Sequence, residues 1–594
     1  MTETLPSSPL SWRDDGLPAS RLYGDVYFSS DDGLAETEAV FMQGCGLPEG
    51  WRGRDRFVVG ELGFGTGLNI AALLDLWRRE RPADGQLHFF SIEAHPITAE
   101  EAARALSRWP RIAEAAQALI DRWPGQAAGF HRVELPEFNA VLDLAVMDAS
   151  AALTSWSGMA DAWFLDGFSP ALNPAMWSDE VLALVAQRSA AGARAATFTV
   201  AGQVRRGLTA AGFAVEKKPG YGRKRERLEA YLPPAPVAEP RARPHVAIIG
   251  GGVAGACAAR AVRALGGAAT VLDPRGLGGA ASGNPAALVT PRLDAGDGPA
   301  GRLFAQAIRR ATALYAQVPG AIIAKGVLQL EAKEKDAGRF DRIAASPLFE
   351  PGALTRLDGA ATADALGEAE APGALRMEDA LVIQPATALA AWAGDAAGTQ
   401  VAALERDGDG WRLLDETGAE ILRADAVILA AGMGVSTLHP QTALQPVRGQ
   451  ATFTDAVPAP AAAAFGGYVI PTREGGVLFG ATHDRDVTDE DRRTEDDARN
   501  LAALATRAPR LAERLTGAPL QSRAAIRATT PDRLPSAGAA EDGLYLLTGM
   551  GSRGFCAAPL LAEHVAALIL NAPSPLPRDL AAAVDPARFA ARRA

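Results

Sequence analysis

Two stretches of this 594-residue chain run from an apolar strand through a glycine loop into a helix, with a proline-rich segment between them. The first is RFVVGELGFGTGLNIAALLDLWRR at 56–79, and the second is HVAIIGGGVAGACAARAVRALGGAATVLDP at 245–274. Each joins a strand pattern to a helical one across residues that let backbone approach a ligand, the plan of nucleotide-type α/β domains. Between them, LPPAPVAEPRARPHV (232–246) holds Pro233, Pro234, Pro236, Pro240 and Pro244 with no apolar periodicity. That composition predicts an extended linker. The expected organisation is two α/β domains, residues 1–232 and 245–594, joined by a linker over 233–244. No repeat of solenoid period runs through the chain.

Composition narrows the class. Apolar residues at 48 % and charged ones at 22 % leave ample core and exclude a disordered chain. MTETLPSSPLSWRDDG has neither the basic nor the apolar region of a signal peptide. APLLAEHVAALIL is broken by Glu563 and His564 and is too short to span a bilayer. Cys45, Cys257 and Cys556 are widely spaced, which fits a reducing cytosol and predicts neither a disulfide framework nor a metal site. A net charge of −11 argues against a generic nucleic-acid binder but leaves room for a local basic patch. The expectation is a cytoplasmic protein with no membrane contact, no metal and no obligate protein partner.

The first loop reads Glu61-x-Gly63-x-Gly65-x-Gly67, with no Gly-Lys-Ser/Thr to make it a P-loop. Its glycines are spaced as in S-adenosylmethionine-binding methyltransferases, where an acid precedes the loop. A second acid should hold the ribose hydroxyls, and LHFFSIEAHP ends its apolar run at Glu93. Asp148, ending VLDLAVMD, is placed to meet an adenine amino group. In FLDGFSPALNPAMW (164–177) a buried strand ends in Asp166, and Pro170, Asn173 and Pro174 forbid its continuation. Ligands of doubly wound sheets gather at carboxyl strand ends, so Asp166 is a candidate for chemistry and not for capping. GARAATFTV predicts a further strand and FAVEKKPGYGRKRERLEAYL a terminal hairpin. Together these make a class I methyltransferase.

The second loop is Gly250-x-Gly252-x-x-Gly255, and Asp273 ends the next strand where a ribose would be bound. FAD is favoured over NAD for two reasons. ILRADAVILAAGMGVS (421–436) predicts a second apolar strand beside the dinucleotide, and GLYLLTGMGSRGFCAAPLLAEHVAALI (543–569) predicts a strand, a glycine-rich turn and a helix. The dipole of such a helix can stabilise negative charge on a reduced flavin. IRATTPDRLPSAG (526–538) is similar to a segment of glycine- and sarcosine-type amine oxidases. There an arginine, Arg527 in this chain, pairs with the substrate carboxylate, as a guanidinium fork can do bidentately.

Nearly end to end, the chain resembles the bifunctional tRNA 5-methylaminomethyl-2-thiouridine biosynthesis family. The resemblance is carried by DVYFSSDDGLAETEAVF (25–41), ELGFGTGLN (61–69), AWFLDGFSPALNPAMW (162–177), GYGRKRE (220–226), ASGN (281–284) and GSRGFCAAPLLAE (551–563). The chain departs from the pattern after ASGN, reading NPAALVTP (284–291) without a glycine. The resemblance implies a class I methyltransferase domain fused to an FAD-binding domain of glycine-oxidase type. It implies flavin contacts at Ser282, Asn284, Gly551, Arg553 and Gly554. It also implies two reactions on a wobble uridine of tRNA. FAD-dependent removal of a carboxymethyl arm gives the aminomethyl form, which S-adenosylmethionine then methylates, with Asp166 orienting and deprotonating the amine. Phosphate contact is expected of Arg205, Arg206, Lys217, Lys218, Arg223, Lys224 and Arg225, which with Arg227 face only Glu216 and Glu226 in that segment. Two alternatives stay open: a small-molecule amine oxidase fused to an unrelated methyltransferase, and a non-catalytic RNA-binding N-terminal module.

Overall fold

The computed structural model describes residues 8–222, 224–234 and 243–589. Arg223 and linker residues 235–242 lie outside the described residues. The chain divides into two compact units, Met1–Pro240 and Arg241–Ala594.

The first unit is built on eight strands: β1 (Arg56–Leu62), β2 (Gln86–Glu93), β3 (Gly129–Leu135), β4 (Ala140–Val146), β5 (Ala160–Leu165), β6 (Ser189–Thr197), β7 (Ala214–Pro219) and β8 (Glu226–Tyr231). Their order across the sheet is β3-β4-β2-β1-β5-β6-β8-β7. The pairs from β4 through β6 are parallel, and an antiparallel strand or hairpin closes each edge. Phe57, Val58, Val59 and Leu62 are all buried, as a strand covered on both faces requires. Tryptophans fill the layers against the helices: Trp51, Trp77, Trp156, Trp163 and Trp177 are all inaccessible to solvent. The chain leaves β1 towards β2 on one side and reaches β5 on the other. This is the switch point where a doubly wound sheet opens a crevice. Helix α1 (Leu68–Glu80) starts there, capped by Gly67 at φ +75°, and α2 (Ala149–Ser155) and α3 (Asp179–Gln187) follow β4 and β5.

The second unit has a nucleotide-type sheet, parallel except for one edge strand, and a mixed sheet. The first contains β9 (His245–Ile249), β10 (Ala268–Leu272), β11 (Ala426–Leu429) and β15 (Leu544–Thr548), with β9 between β10 and β11. The ten-stranded mixed sheet includes β12 (Gln445–Thr454), β13 (Asp484–Arg485) and β14 (Gln521–Thr529), with β13 and β14 both antiparallel to β12. Here the structure corrects the reading of ILRADAVILAAGMGVS as one strand. Glu420–Ala424 belongs to a separate three-stranded sheet, and only β11 lies beside β9. The break falls at Asp425, whose N–H donates to the His245 carbonyl (2.9 Å) and whose carboxylate accepts the His245 N–H (2.6 Å).

Three helices pack against the nucleotide-type sheet: α4 (Val253–Ala264), α5 (Pro299–Ala316) and α6 (Gly554–Ile569). Glu563, which interrupts the apolar run of α6, is buried and accepts hydrogen bonds from Arg260 of α4 (2.8 Å) and Arg310 of α5 (2.5 Å). A carboxylate there is stable only because both guanidinium groups accompany it. Among the described residues, no helix is long and apolar enough to cross a membrane.

Gly255 sets the distance between α4 and β9. A Cβ at this position would lie 1.8 Å from the Gly250 carbonyl oxygen, which is backbone and cannot yield. Gly255→Ala is therefore expected to destabilise the second unit by about 1–3 kcal/mol. It should also yield protein with little bound flavin, read by calorimetry and by absorbance at purification.

Candidate active sites

The first site forms where β1, β2 and β5 end. Gly63, Gly65 and Gly67 all have positive φ (+84°, +53° and +75°), a region in which side chains are strained. Space is equally restrictive: a Cβ at Gly63 would sit 3.0 Å from the Gly167 Cα, and one at Gly65 3.2 Å from the Tyr27 ring. The loop therefore threads between the Asp166–Gly167 turn and an aromatic wall. Phe168 packs against Tyr23 (5.0 Å between centroids) and Tyr27 (5.2 Å), and Asp25 Oδ2 accepts the Ser169 N–H (3.0 Å). Glu93 ends β2 as expected. Its carboxylate accepts the N–H groups of Gly65 (3.1 Å) and His95 (2.9 Å), fixing the loop against the second strand. Asp148 lies beyond β4 but also caps the helix Ala149–Ser155, accepting the Ala151 N–H (3.0 Å).

Asp166 sits at the end of β5, and its Oδ2 accepts from Asn69 Nδ2 (2.8 Å). Asn69 is held in turn by the Thr37 hydroxyl, which donates to Asn69 Oδ1 (2.8 Å). Thr37 fixes which end of the amide faces Asp166. Burial raises the Asp166 carboxyl to about 6, against the Asn69 and Gly167 hydrogen bonds; Glu36 adds to the rise and Lys224 opposes it. Glu61 is deeper, inside β1 and only 1 % exposed. Its Oε2 accepts from Ser91 (2.5 Å), while its Oε1 is buried without a hydrogen-bond partner. Burial raises its carboxyl to about 8, with Ser91 and Asn69 opposing and the charges of Asp166 and Glu93 assisting. The sequence reading missed Glu36, Thr37, Asn69, Phe198 and Tyr27. Tyr27, Glu36 and Thr37 lie in the fragment 25–41, Asn69 ends ELGFGTGLN and Phe198 falls in GARAATFTV, but nothing in those strings says that folding brings them together at the strand ends.

In the second unit a cavity of about 760 Å³ is lined by Gly250, Gly252, Asp273, Ser282, Asn284, Arg527, Gly551 and Gly554, among others. Gly255 stands behind it as the packing glycine described above. Asp273 accepts the N–H groups of Gly251 (2.7 Å) and Arg275 (2.8 Å), and Ser282 Oγ accepts the Val253 N–H (3.0 Å) at the start of α4. Asn284 Oδ1 faces Arg523 at 3.5 Å, and Ala286, Ala287 and Leu288 of the glycine-free segment line the wall. Arg553 is not among the residues lining the cavity, and its guanidinium donates to the Thr290 hydroxyl. Arg527 lies on β14 opposite Val447 of β12, and its guanidinium occupies the space that a side chain at Gly449 would fill. Burial lowers its pKa, and only the Tyr468 hydroxyl opposes that. Among the described residues it has no ion-pair partner.

The basic segment is more neutralised than its sequence implies. Lys217 pairs with Glu226 (2.7 Å), Lys218 with Glu216 (2.6 Å), Lys224 with Glu36 (2.7 Å) and Arg227 with Glu229 (2.6 Å). Two of those acids, Glu36 and Glu229, lie outside the stretch from which the excess was read. Among the described residues, Arg205, Arg206 and Arg225 remain exposed without a carboxylate partner.

Two family profiles match the chain: S-adenosyl-L-methionine-dependent methyltransferase over residues 110–233 and FAD dependent oxidoreductase over residues 245–568. A curated tRNA 5-methylaminomethyl-2-thiouridine biosynthesis bifunctional protein MnmC of Caulobacter vibrioides is 63 % identical, with 99 % of this chain and 98 % of that protein covered. The chain belongs to this bifunctional family. The protein of the same name from Thiobacillus denitrificans is 39 % identical over all of both chains. In fold, the second unit is similar to the L-proline dehydrogenase of P. horikoshii, with a TM-score of 0.51 and 19 % identity over 59 % of this chain and 98 % of that one. The first unit is thus a methyltransferase using S-adenosylmethionine, and the second is an FAD-dependent oxidoreductase. The residues present fit both groups. The orphaned Oε1 of Glu61 at the base of the first loop suits a cationic ligand, and the glycine-lined cavity of the second unit has the size of a cofactor site.

Glu61 links the first site to stability. Its folded pKa of about 8 lies above the ordinary glutamate value of 4.5, so the folded state holds the proton more tightly. The associated stability is complete below about pH 4.5 and is lost as pH rises through about 8. Denaturation of the ligand-free protein across this range should show a smaller loss on raising the pH for Glu61→Gln than for the parent.

Proposed function

We propose that this enzyme remodels a wobble uridine of tRNA in two steps. The carboxymethyl arm of 5-carboxymethylaminomethyl(-2-thio)uridine is removed in the FAD unit, and the resulting primary amine is methylated in the first unit. One observation carries the reading. The two sites offer complementary charges to the two ends of such an arm: a partner-free guanidinium, Arg527, over the flavin cavity, and a carboxylate, Asp166, beside the methyl-donor loop. The name of the full-length relatives, biosynthesis of 5-methylaminomethyl-2-thiouridine in tRNA, supports the same substrate.

FAD supplies a two-electron acceptor and S-adenosylmethionine an electrophilic methyl group; the protein supplies position and proton transfer. A carboxymethylamine is an N-substituted glycine. Arg527 pairs with its carboxylate and so orients the adjoining CH–NH bond within the cavity. At the other site, an aliphatic ammonium has no lone pair to offer. Asp166, fixed by Asn69, accepts its proton and holds the amine, general-base work that typically contributes about 10²–10⁴-fold. The flipped-out base occupies the pocket walled by Phe168, Tyr23 and Tyr27. Arg205, Arg206 and Arg225 contact the RNA backbone.

A small-molecule oxidase fused to an unrelated methyltransferase would accept free amines. Stopped-flow absorbance separates the readings: tRNA bearing the carboxymethylaminomethyl group should bleach the flavin, and free glycine or sarcosine should not. Asp166→Asn should lower methyl transfer by about 10²-fold or more, with S-adenosylmethionine affinity little changed. Unmethylated aminomethyl nucleoside should then accumulate in cellular tRNA, as read by mass spectrometry. Because the carboxylate form is the active one, the parent's rate should fall as pH drops below about 6, and the Asn variant should lose that limb. Arg527→Ala should raise KM in the oxidative half by about 10-fold or more while leaving methylation of aminomethyl tRNA intact.

A further inference from the structure

Lys224 already places an alkylammonium close enough for its charge to act on Asp166. Its Nζ lies 2.7 Å from Glu36 and 4.1 Å above the centroid of the Phe198 ring. Glu36 is the better covered partner, with 13 % of its side chain exposed, whereas Lys224 keeps 45 % of its side chain open to solvent and so is free to leave. A carboxylate on one side and an aromatic face on the other make a receptor for a primary ammonium group. Both partners connect to the surroundings of Asp166. Thr37, adjacent to Glu36, begins the chain Thr37–Asn69–Asp166, and the charges of Glu36 and Lys224 are both felt at Asp166. The ring of Phe198 packs at 6.2 Å against Trp177, whose indole N–H donates to the Phe168 carbonyl (2.8 Å) in the Asp166 loop.

We propose that Glu36 and Phe198 form a primary-ammonium subsite for the methyl acceptor, which the Lys224 side chain fills in the absence of substrate and which the aminomethyl group of the substrate takes by displacing it. The inference rests on the reading of an aminomethyl acceptor given above. One monovalent ammonium replaces another, so the charge around Asp166 is conserved when Lys224 leaves. The arm arrives already aligned with the residue that takes its proton. A neutral or secondary amide side chain lacks the charge that Glu36 and the ring select, so the subsite is also a specificity filter. Lys224, grouped with the phosphate-binding cations by sequence, acquires a different task.

The test uses the full chain and n-butylammonium chloride as a probe, read by ligand-observed NMR against sodium chloride at equal ionic strength. Removing the internal ammonium with Lys224→Met should tighten butylammonium binding by about tenfold or more, and adding Glu36→Gln to that variant should abolish it. Phe198→Leu supplies a second, charge-neutral disruption, and S-adenosylmethionine affinity checks that each variant is folded. In steady-state methylation of aminomethyl tRNA, Glu36→Gln should raise KM about tenfold with kcat changed less than about threefold, whereas Lys224→Met should lower KM. Equal butylammonium binding by parent and Lys224→Met, or a KM raised by Lys224→Met as loss of a phosphate contact would do, overturns the subsite. The binding arm needs no turnover. Failure of the parent to methylate tRNA would therefore count against the functional reading, while the butylammonium result would still decide the subsite.

Discussion

Both catalytic units depend on a close approach of backbone to backbone that a β-carbon would disturb. In the first unit the loop after β1 lies so close to the Asp166–Gly167 turn that Gly63 could carry no side chain without displacing it. In the second, Gly255 lets α4 start directly over the Gly250 carbonyl. These approaches put helix N-termini and free N–H groups at the mouths of the sheets, where anionic and polar ligand groups are best held. They also fix the neighbouring carboxylates: Glu93 and Asp273 each accept N–H groups of the loop they adjoin. The two units thus use one solution for two different cofactors.

Against that scaffold, the disposition of buried charge separates structure from chemistry. Glu563 is shared by Arg260 and Arg310, Asp143 is held by Arg132 (2.6 Å) and Arg448 by Asp496 (2.5 Å). Each of these buried ions has its counter-ion, as desolvation demands. Asp166 and Arg527 do not follow that rule. Asp166 has an amide for its nearest partner, and Arg527 has a phenol nearby and a cavity before it. Groups left electrostatically unsatisfied in this way are the ones that gain most from a ligand of opposite charge.

Local patterns were legible wherever the physics is local. The apolar strands that open the two glycine-loop stretches appear as Arg56–Leu62 and His245–Ile249, and the terminal hairpin appears as β7 and β8. Such runs alternate sharply with glycine and proline, so their ends are written in the residues themselves. The stretch 421–436 was misread as one strand because both halves are apolar; Asp425 divides it through bonds to a residue almost two hundred positions away. The hydrogen bond from Arg553 to Thr290 is equally non-local, since nothing near Arg553 in sequence points to it.

The charge of the segment 202–227 shows the same boundary. Counting along the chain gives an excess of cations, but Glu36 and Glu229 neutralise two of them in space. Sequence by itself determined the two α/β units, their cofactor classes, the family and the placing of Asp166 at a strand end, because glycine spacing, proline and apolar periodicity act over a few residues. Tertiary structure alone decided what surrounds Asp166: the Thr37–Asn69 support, the raised carboxyl of Glu61, and the meeting of Glu36, Phe198 and Lys224. Those groups come from four separate segments, and their mutual distances are set by the packing of the whole sheet.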